Sequence, residues 1–173
     1  FGENYIQEGV DKIASLADLP LEWHCIGHIQ SNKSKLVAEN FAWVHSIDRL
    51  KIAERLSAQR PAHLPPLQVC LQVNVDGGNN KSGVAPSELL ALAQAVAKLP
   101  HLQLRGLMTI PEPAANELAA RAVHRQAKEL FDSLNAAGLK LDTLSMGMTA
   151  DLEAAIAEGS TCVRVGTAIF GQR

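Results

Sequence analysis

Apolar runs with strand character alternate with amphipathic runs of helical period along the whole chain. The strand-like runs are short and apolar, and they cover residues 1–4, 22–27, 43–47, 67–75, 102–110, 143–148 and 162–170. The run at 1–4 is the weakest of them because it is short and lies at the terminus. The pattern therefore predicts seven strands.

Between these runs, apolar residues recur at the spacing of an amphipathic helix. One helix is predicted after the first strand, one over residues 87–99 and a long one over residues 116–135. Shorter helices are predicted after the second, third and sixth strands. The helix ends agree with this pattern, because glycines or prolines close four of the runs: Pro61, Pro100, Gly138 and Gly159.

Strict alternation of apolar strands and helices predicts an α/β fold in which helices cover parallel strands. A doubly wound open sheet and a TIM (β/α)8-type barrel both satisfy the pattern. Neither GxGxxG nor GxxxxGK[ST] follows the early strands, which disfavours a nucleotide-binding open sheet. Seven strands are one short of a closed barrel, and 173 residues fall below the usual size of about 200. We therefore expect one barrel domain over residues 1–173 that lacks its first strand and helix.

Composition narrows the class of protein. With 47% apolar and 20% charged residues, the chain is typical of a soluble globular domain. A net charge of -2 gives no basic surplus for nucleic acid or an anionic membrane, and no apolar run reaches the ~20 residues of a membrane span. The odd number of cysteines, each within a strand-like run, indicates free buried thiols in the cytoplasm: Cys25, Cys70 and Cys162.

The first candidate binding segment is SMGMT, which follows the sixth predicted strand. Gly147 lets the backbone approach a ligand closely, and the hydroxyls of Ser145 and Thr149 can donate to its oxygens. A purely structural alternative remains open, in which Thr149 caps the next helix and Gly147 forms a turn. Asp151 slightly favours that alternative, because its carboxylate can itself occupy the helix start.

The second candidate segment is VRVGTAIFG at the last predicted strand. Arg164 places a charge in an otherwise apolar strand, which is costly unless the guanidinium meets a carboxylate or a ligand. Few acidic residues lie in the strand-like runs, so we favour a ligand. Gly166 and Thr167 add backbone amides and a hydroxyl, and together with SMGMT they predict a two-sided phosphate cradle.

The other polar residues give weaker signals. Four residues of a strand separate His24 from His28 by ~13 Å, so we expect no shared metal ion there. His24 is interpreted as a core residue. Lys81, in the loop NNKSG, could close over the barrel mouth, although a solvated turn is the simpler interpretation. The remaining histidines have no partner that the sequence identifies: His45, His63, His101 and His124.

Seven segments, taken in order, resemble the pyridoxal phosphate (PLP) homeostasis protein family, whose members are single-domain relatives of the alanine racemase N-terminal barrel. The segments are FGENYIQE, WHCIGHIQSNK, HSIDR, NKSG, LRGLMTI, LSMGMTADLEAAI and VRVGTAIFG. The resemblance implies a PLP-binding TIM barrel. It implies that Asn4 lines the cofactor and that Arg164 faces the pyridine nitrogen. It also assigns the phosphate to two turns, one with Ser145, Gly147 and Thr149, the other with Gly166 and Thr167.

The sequence departs from that family in one respect. The family binds the PLP aldehyde through a lysine on the first barrel strand, upstream of FGEN, and no lysine here matches it. We therefore assign no catalytic residue and expect that the parent protein carries the missing unit. The expected function is intracellular PLP homeostasis, by buffering or delivering the cofactor to apoenzymes, as a cytoplasmic monomer. The alternatives are a PLP-dependent amino acid racemase and a phosphosugar-handling barrel enzyme.

Overall fold

The computed structural model describes residues 1–77 and 82–171. Within them, seven parallel strands follow one another around a single sheet, and each pairs with the next in the sequence. The strands are β1 (Gly2–Glu3), β2 (His24–Cys25), β3 (Trp43–Ile47), β4 (Leu67–Gln72), β5 (Leu102–Met108), β6 (Thr143–Met148) and β7 (Cys162–Arg164). This order confirms the predicted parallel α/β architecture.

At least one helix follows every strand and returns the chain to the start of the next. The helices are α1 (Ile6–Ser15), α2 (Ser34–Asn40), α3 (Leu50–Gln59), α4 (Pro86–Val96), α5 (Glu117–Ala136), α6 (Leu152–Ala157) and α7 (Thr167–Phe170), and a 3-10 turn at Ser31–Lys33 precedes α2. Because the strand order never reverses, the sheet curls in one direction. The result is a nearly closed barrel.

The main apolar core lies between the strands and the helices. Strands contribute Val44, Leu71 and Leu144, which are fully buried, and helices contribute residues such as Leu56 and Leu89. Each buried side chain of this size contributes about 1.5–3 kcal/mol to folding. This layer holds the strands in place and fixes where their carboxyl ends meet.

Local signals set the helix ends. Pro86 lies in the first turn of α4, where its missing N–H costs nothing. The Asn116 side chain caps α5 by accepting the Ala119 N–H at 2.9 Å. Gly138 and Gly159 follow α5 and α6 with φ of 95° and 94°, a conformation that favours glycine. These positions agree with the predicted ends.

The structure corrects the predicted strand lengths. Strands β3 and β6 match the sequence, whereas β1, β2, β4 and β5 are shorter than predicted. The seventh run was wrong beyond Arg164, because residues 167–170 form α7. A short apolar run such as AIF does not distinguish a strand from a helical turn. Cys162 is half-buried rather than buried, unlike Cys25 and Cys70. No helix among the described residues is long and apolar enough to span a membrane.

Candidate functional site

The two glycine turns predicted from the sequence lie at the same end of the barrel. Strands β6 and β7 are parallel neighbours, and Met148 is in register with Arg164. Gly147 therefore lies beside the end of β7, and Gly166 follows that end by two residues. Gly147 has φ of 92°, and a Cβ there would collide with the Ala155 side chain, so the tight packing of β6 against α6 requires glycine.

The turn after β6 is held by Asp151. One carboxylate oxygen accepts the Met148 N–H at 2.7 Å, and the other lies 2.8 Å from His124 Nε2. Asp151 is also the residue that precedes α6, so Thr149 does not cap that helix and the capping alternative is wrong. Thr149 instead lies exposed in the turn. It also lines a cleft of about 520 Å³ between residues 111–124 and residues 148–154, which Arg164 and Thr167 do not line. Its hydroxyl is available to a ligand, whereas the Met148 amide is not.

Arg164 ends β7 with its guanidinium directed into the barrel. Its Nη1 donates to Ser145 Oγ at 2.7 Å, and its Nη2 donates to the Thr109 carbonyl at 2.7 Å. Both partners are neutral, and no carboxylate of the described residues pairs with this arginine. Burial lowers the pKa of Arg164, but an arginine starts so high that it keeps its charge at neutral pH. The barrel thus contains a half-buried cation whose remaining donors can serve a ligand.

Ser145 lies in the barrel interior and not in the glycine turn itself. Its buried hydroxyl contacts Arg164 Nη1 and lies 2.9 Å from His45 Nδ1. Because β4 and β5 separate β3 from β6 in the sheet, the contact between His45 and Ser145 crosses the interior. The structure therefore commits Ser145 to Arg164 and His45, whereas the resemblance assigned it to a phosphate turn.

The histidines that the sequence left without partners extend this contact. His45 Nε2 lies 2.9 Å from His24 Nδ1, and His24 Nε2 lies 2.9 Å from Glu22 Oε1. His24 is thus a bonded interior residue, as interpreted from the sequence. The role of His45 was missed, although a polar residue inside an apolar strand is the same signal that identified Arg164.

Both interior histidines are neutral at physiological pH. Burial lowers the pKa of His45 to about 3, and the neighbouring His24 and Arg164 lower it further. Burial also lowers the pKa of His24, against the opposing effect of Glu22. A neutral imidazole has one donor and one acceptor nitrogen, so each ring can relay a hydrogen bond.

The remaining candidates lie around this centre. Asn4 is exposed directly after β1, at the same end of the barrel but on the other edge strand. Thr167 is exposed in the first turn of α7, one residue after Gly166. The structure thus groups the residues of β6 and β7 closely, and it places Asn4 at the same end of the barrel, directly after β1.

The paired-histidine motif does not form a common site. His24 contacts His45 and Glu22, whereas His28 lies 3.5 Å from Asp48. Among residues 1–77 and 82–171, no three His, Cys, Asp or Glu side chains form a group that could hold a metal ion. Lys81, the predicted mobile cation, lies outside the described residues.

Thr109 has a buried hydroxyl near Arg164. Its Oγ1 has no hydrogen-bond partner among residues 1–77 and 82–171, whereas its carbonyl accepts from Arg164. A buried polar atom of this kind is unusual in a folded protein. Fold and site together define a parallel α/β barrel whose mouth offers a half-buried cation, two glycine turns and exposed hydroxyls. This combination suits an anionic ligand that also accepts hydrogen bonds.

The chain matches the family model "Alanine racemase, N-terminal domain" over residues 1–173. It is 65% identical to the pyridoxal phosphate homeostasis protein of Pseudomonas aeruginosa, over all of this chain and 74% of that protein. It is 57% identical to the protein of the same name from Escherichia coli K12, over all of this chain and 75% of that protein. The chain therefore belongs to the alanine racemase N-terminal domain family and, within it, to the pyridoxal phosphate homeostasis proteins.

Solved structures agree on the fold. PipY of Synechococcus elongatus, solved with PLP bound, superposes with a TM-score of 0.89 at 40% identity, over 99% of this chain and 81% of that one. An alanine racemase of Clostridium difficile superposes with a TM-score of 0.81 over 99% of this chain and 44% of that one. At 16% identity, the racemase shares only the fold with this chain. The expected alanine racemase N-terminal-like barrel is confirmed.

Proposed function

We propose that this protein binds PLP and maintains its intracellular supply by buffering or delivering it. The observation that carries the proposal is Arg164, a half-buried arginine with two neutral partners at the end of β7, between two glycine turns. It occurs in a chain 65% identical to a protein named for PLP homeostasis, and at 40% identity to one solved with PLP.

The residues of the mouth fit the chemical groups of PLP. Thr149 and Thr167 offer exposed hydroxyls to the phosphate, while Gly147 and Gly166 let the backbone approach it. Asn4 contributes from the opposite edge strand. When bound, PLP supplies an aldehyde for amines and a pyridine nitrogen that accepts a hydrogen bond.

Arg164 is assigned to the ring nitrogen. Of its five N–H donors, the described contacts use one on each terminal nitrogen. The buried hydroxyl of Thr109, whose carbonyl accepts from Arg164, has no hydrogen-bond partner among the described residues. Ser145 is assigned a different task from the one that the resemblance implies, because its hydroxyl is already engaged by Arg164 and His45. It orients Arg164 and leaves the phosphate to the other residues.

Arg164 by itself favours neither a homeostasis role nor racemisation, because the racemases that this chain resembles also have an arginine at the ring nitrogen. The guanidinium donates a hydrogen bond without giving up its proton, so Arg164 leaves the ring nitrogen unprotonated in either case. A racemase is distinguished by proton donors on both faces of the substrate carbon, and Tyr5 is the single tyrosine of residues 1–173. The amount of L-amino acid inverted by full-length protein, compared with free PLP, tests this: a faster rate with protein would favour a racemase.

We further propose that the protein works as a cytosolic monomer that passes PLP to apoenzymes. Its three cysteines are unpaired, which is typical of a reducing compartment. Burial raises the pKa of Cys25 to about 12, so that thiol is unreactive at neutral pH. Sedimentation of the PLP-loaded protein and transfer of PLP to an apoenzyme test the two parts separately.

The main experiment measures PLP binding by the full-length protein. We expect a visible absorption band of bound PLP in the wild type. Replacing Arg164→Ala or Thr149→Ala should weaken binding by about 1–3 kcal/mol each, because a charge-assisted or neutral hydrogen bond is lost. Thr149→Ser is the matched control, since it keeps the hydroxyl.

Two results would overturn the proposal. Full-length wild-type protein without a PLP band would favour a phosphosugar-handling barrel instead. Unchanged dissociation constants in both alanine variants would return Arg164 and Thr149 to a structural role.

A further inference from the structure

A continuous line of side chains crosses the barrel from Glu22 to Arg164. The successive contacts are Glu22 to His24 at 2.9 Å, His24 to His45 at 2.9 Å, His45 to Ser145 at 2.9 Å and Ser145 to Arg164 at 2.7 Å. The line begins just before β2 and ends at the carboxyl end of β7. It therefore connects a carboxylate at the amino-terminal end of the barrel with a guanidinium at the mouth.

The two ends of the line fix the direction of every hydrogen bond in it. Arg164 can only donate, so Ser145 Oγ accepts a hydrogen bond from it. The Ser145 O–H can then donate a hydrogen bond to His45 Nδ1. An accepting Nδ1 places the proton of neutral His45 on Nε2, which then donates to His24 Nδ1. By the same logic, His24 carries its proton on Nε2 and donates it to Glu22.

If the hydrogen bonds ran in the opposite direction, one contact of the line would lack a donor. If His45 Nδ1 donated to Ser145, its Nε2 would have to accept from His24 Nδ1. Neutral His24 would then present a bare Nε2 to the Glu22 carboxylate, and two acceptors would face each other at 2.9 Å. With both histidines neutral, only one direction satisfies every contact.

We propose that Glu22, His24, His45 and Ser145 form a one-way hydrogen-bond relay that holds both histidines in the Nε2–H tautomer and fixes the Arg164 guanidinium at the barrel mouth. The proposal rests on the proposed function only for the identity of the ligand that Arg164 meets. The four relay members are positioning residues, because none of them is assigned a contact with PLP.

The surroundings of the histidines suit such a relay. The Trp43 ring stacks on His24 with centroids 5.3 Å apart and lies 5.8 Å from His45, so it covers both imidazoles. Two further cations lie near this cluster: Arg164, which lowers the pKa of His45, and Arg105, whose guanidinium lies over the Trp43 ring at 4.8 Å.

Burial predicts how the effect of each member fades along the line. Ser145 and His45 are 0% and 1% exposed, whereas the side chains of His24 and Glu22 are 20% and 64% exposed. Water can replace a lost partner at the exposed end but not at the buried end. Disrupting Ser145 should therefore disturb Arg164 most, and disrupting Glu22 should disturb it least.

The first experiment needs no ligand. Nitrogen-15 NMR of the full-length protein, labelled at histidine, reports which ring nitrogen carries the proton. We expect a protonated Nε2 and a bare Nδ1 for both His24 and His45, and a shift of the His45 Nδ1 signal in the Ser145→Ala variant, which removes its hydrogen-bond donor. A protonated Nδ1 on either ring, or no response of His45, would overturn the relay.

The second experiment measures PLP binding across a series of relay variants. We expect affinity to fall about tenfold in Ser145→Ala, about fivefold in His45→Leu and about twofold or less in Glu22→Gln, because lost buried hydrogen bonds cost more than exposed ones. His45→Asn should restore part of the loss, since its amide oxygen can accept where Nδ1 accepted. His63→Leu is the matched control, an exposed loop histidine away from the barrel interior.

The two proposals fail in different ways. Wild-type protein that binds no PLP while showing the predicted ring protonation overturns the proposed function and keeps the relay. Wild-type protein that binds PLP, with equal losses across the series or none at all, overturns the relay and keeps the function.

Discussion

Leu144 and Ser145 are neighbours on β6, and they belong to two different interiors. Leu144 is fully buried in the apolar layer between strands and helices. Ser145 is equally buried, but it faces the centre of the barrel, where it meets Arg164 and His45. Burial of apolar area in the outer layer stabilises the fold. Burial of the polar side chains in the barrel centre, from Glu22 to Arg164, costs desolvation free energy that offsets part of that stability. The comparison indicates that apolar packing and the polar contacts of Arg164 lie on opposite faces of the same strand.

The largest expected effect tests the outer layer. Replacing Leu144→Ala should lower the free energy of unfolding by about 2–5 kcal/mol, because it removes a fully buried side chain and leaves a cavity. The measurement is denaturant unfolding, beside PLP binding at a temperature where the variant is folded. Folded Leu144→Ala should bind PLP nearly as well as wild type, and Ser145→Ala should show the reverse balance. Equal effects of both variants on stability and on binding would remove the distinction between the two faces.

The next prediction concerns pH and the central line. The pKa of His45 is about 3 in the folded protein and near its ordinary value of 6.5 in the unfolded chain. Below pH 6.5, His45 therefore binds a proton in the unfolded state but stays neutral in the folded state. The free energy of unfolding falls as the pH falls toward 3. Between pH 7 and pH 5, this group should cost about 2 kcal/mol of unfolding free energy.

Unfolding measured at both pH values checks this, with His45→Asn as the variant and His63→Asn as the control. Replacing His45 should flatten the pH dependence by about that amount, and replacing His63, which is exposed, should leave it unchanged. If the wild type and His45→Asn lose stability in parallel, His45 is not held neutral by the barrel.

The smallest effect sharpens the role of the arginine. In Arg164→Lys the charge remains, but one ammonium group cannot reproduce the planar fork that reaches Ser145 Oγ and the Thr109 carbonyl together. We expect PLP affinity to fall by about 1 kcal/mol, less than in Arg164→Ala. Titration with PLP gives the dissociation constants. Full activity of the lysine variant in binding would mean that charge alone matters at this position.

The strand pattern predicted the fold because it depends on local alternation and on burial. β3 and β6 agree with the sequence at both ends, since each is a short apolar run with clear limits. The segment after Arg164 could not be predicted in the same way, because three apolar residues suit a strand or one helical turn equally. The turn at Gly147 was predictable, since the glycine marks it directly.

The central line was only partly predictable. A charge in an apolar strand identified Arg164, and the scarcity of acidic residues in the strand-like runs favoured a ligand over a carboxylate as its partner. The link between them was hidden, because His45 and Ser145 meet only when the sheet curls and β3 faces β6. Sequence periodicity reports which face a residue occupies, but not which distant residue lies opposite.

A second consequence of the close packing at the strand ends concerns Gly27, which follows β2. A Cβ atom at this position would overlap the backbone carbonyl of Asn4 after β1. The obstructing atoms are the backbone O, C and Cα of Asn4, so no side chain can rotate away to make room for a Cβ. In a library that randomises residue 27, we expect only the glycine variant to be recovered as folded protein. Any larger residue would separate β1 from β2 and displace Asn4 from the barrel mouth.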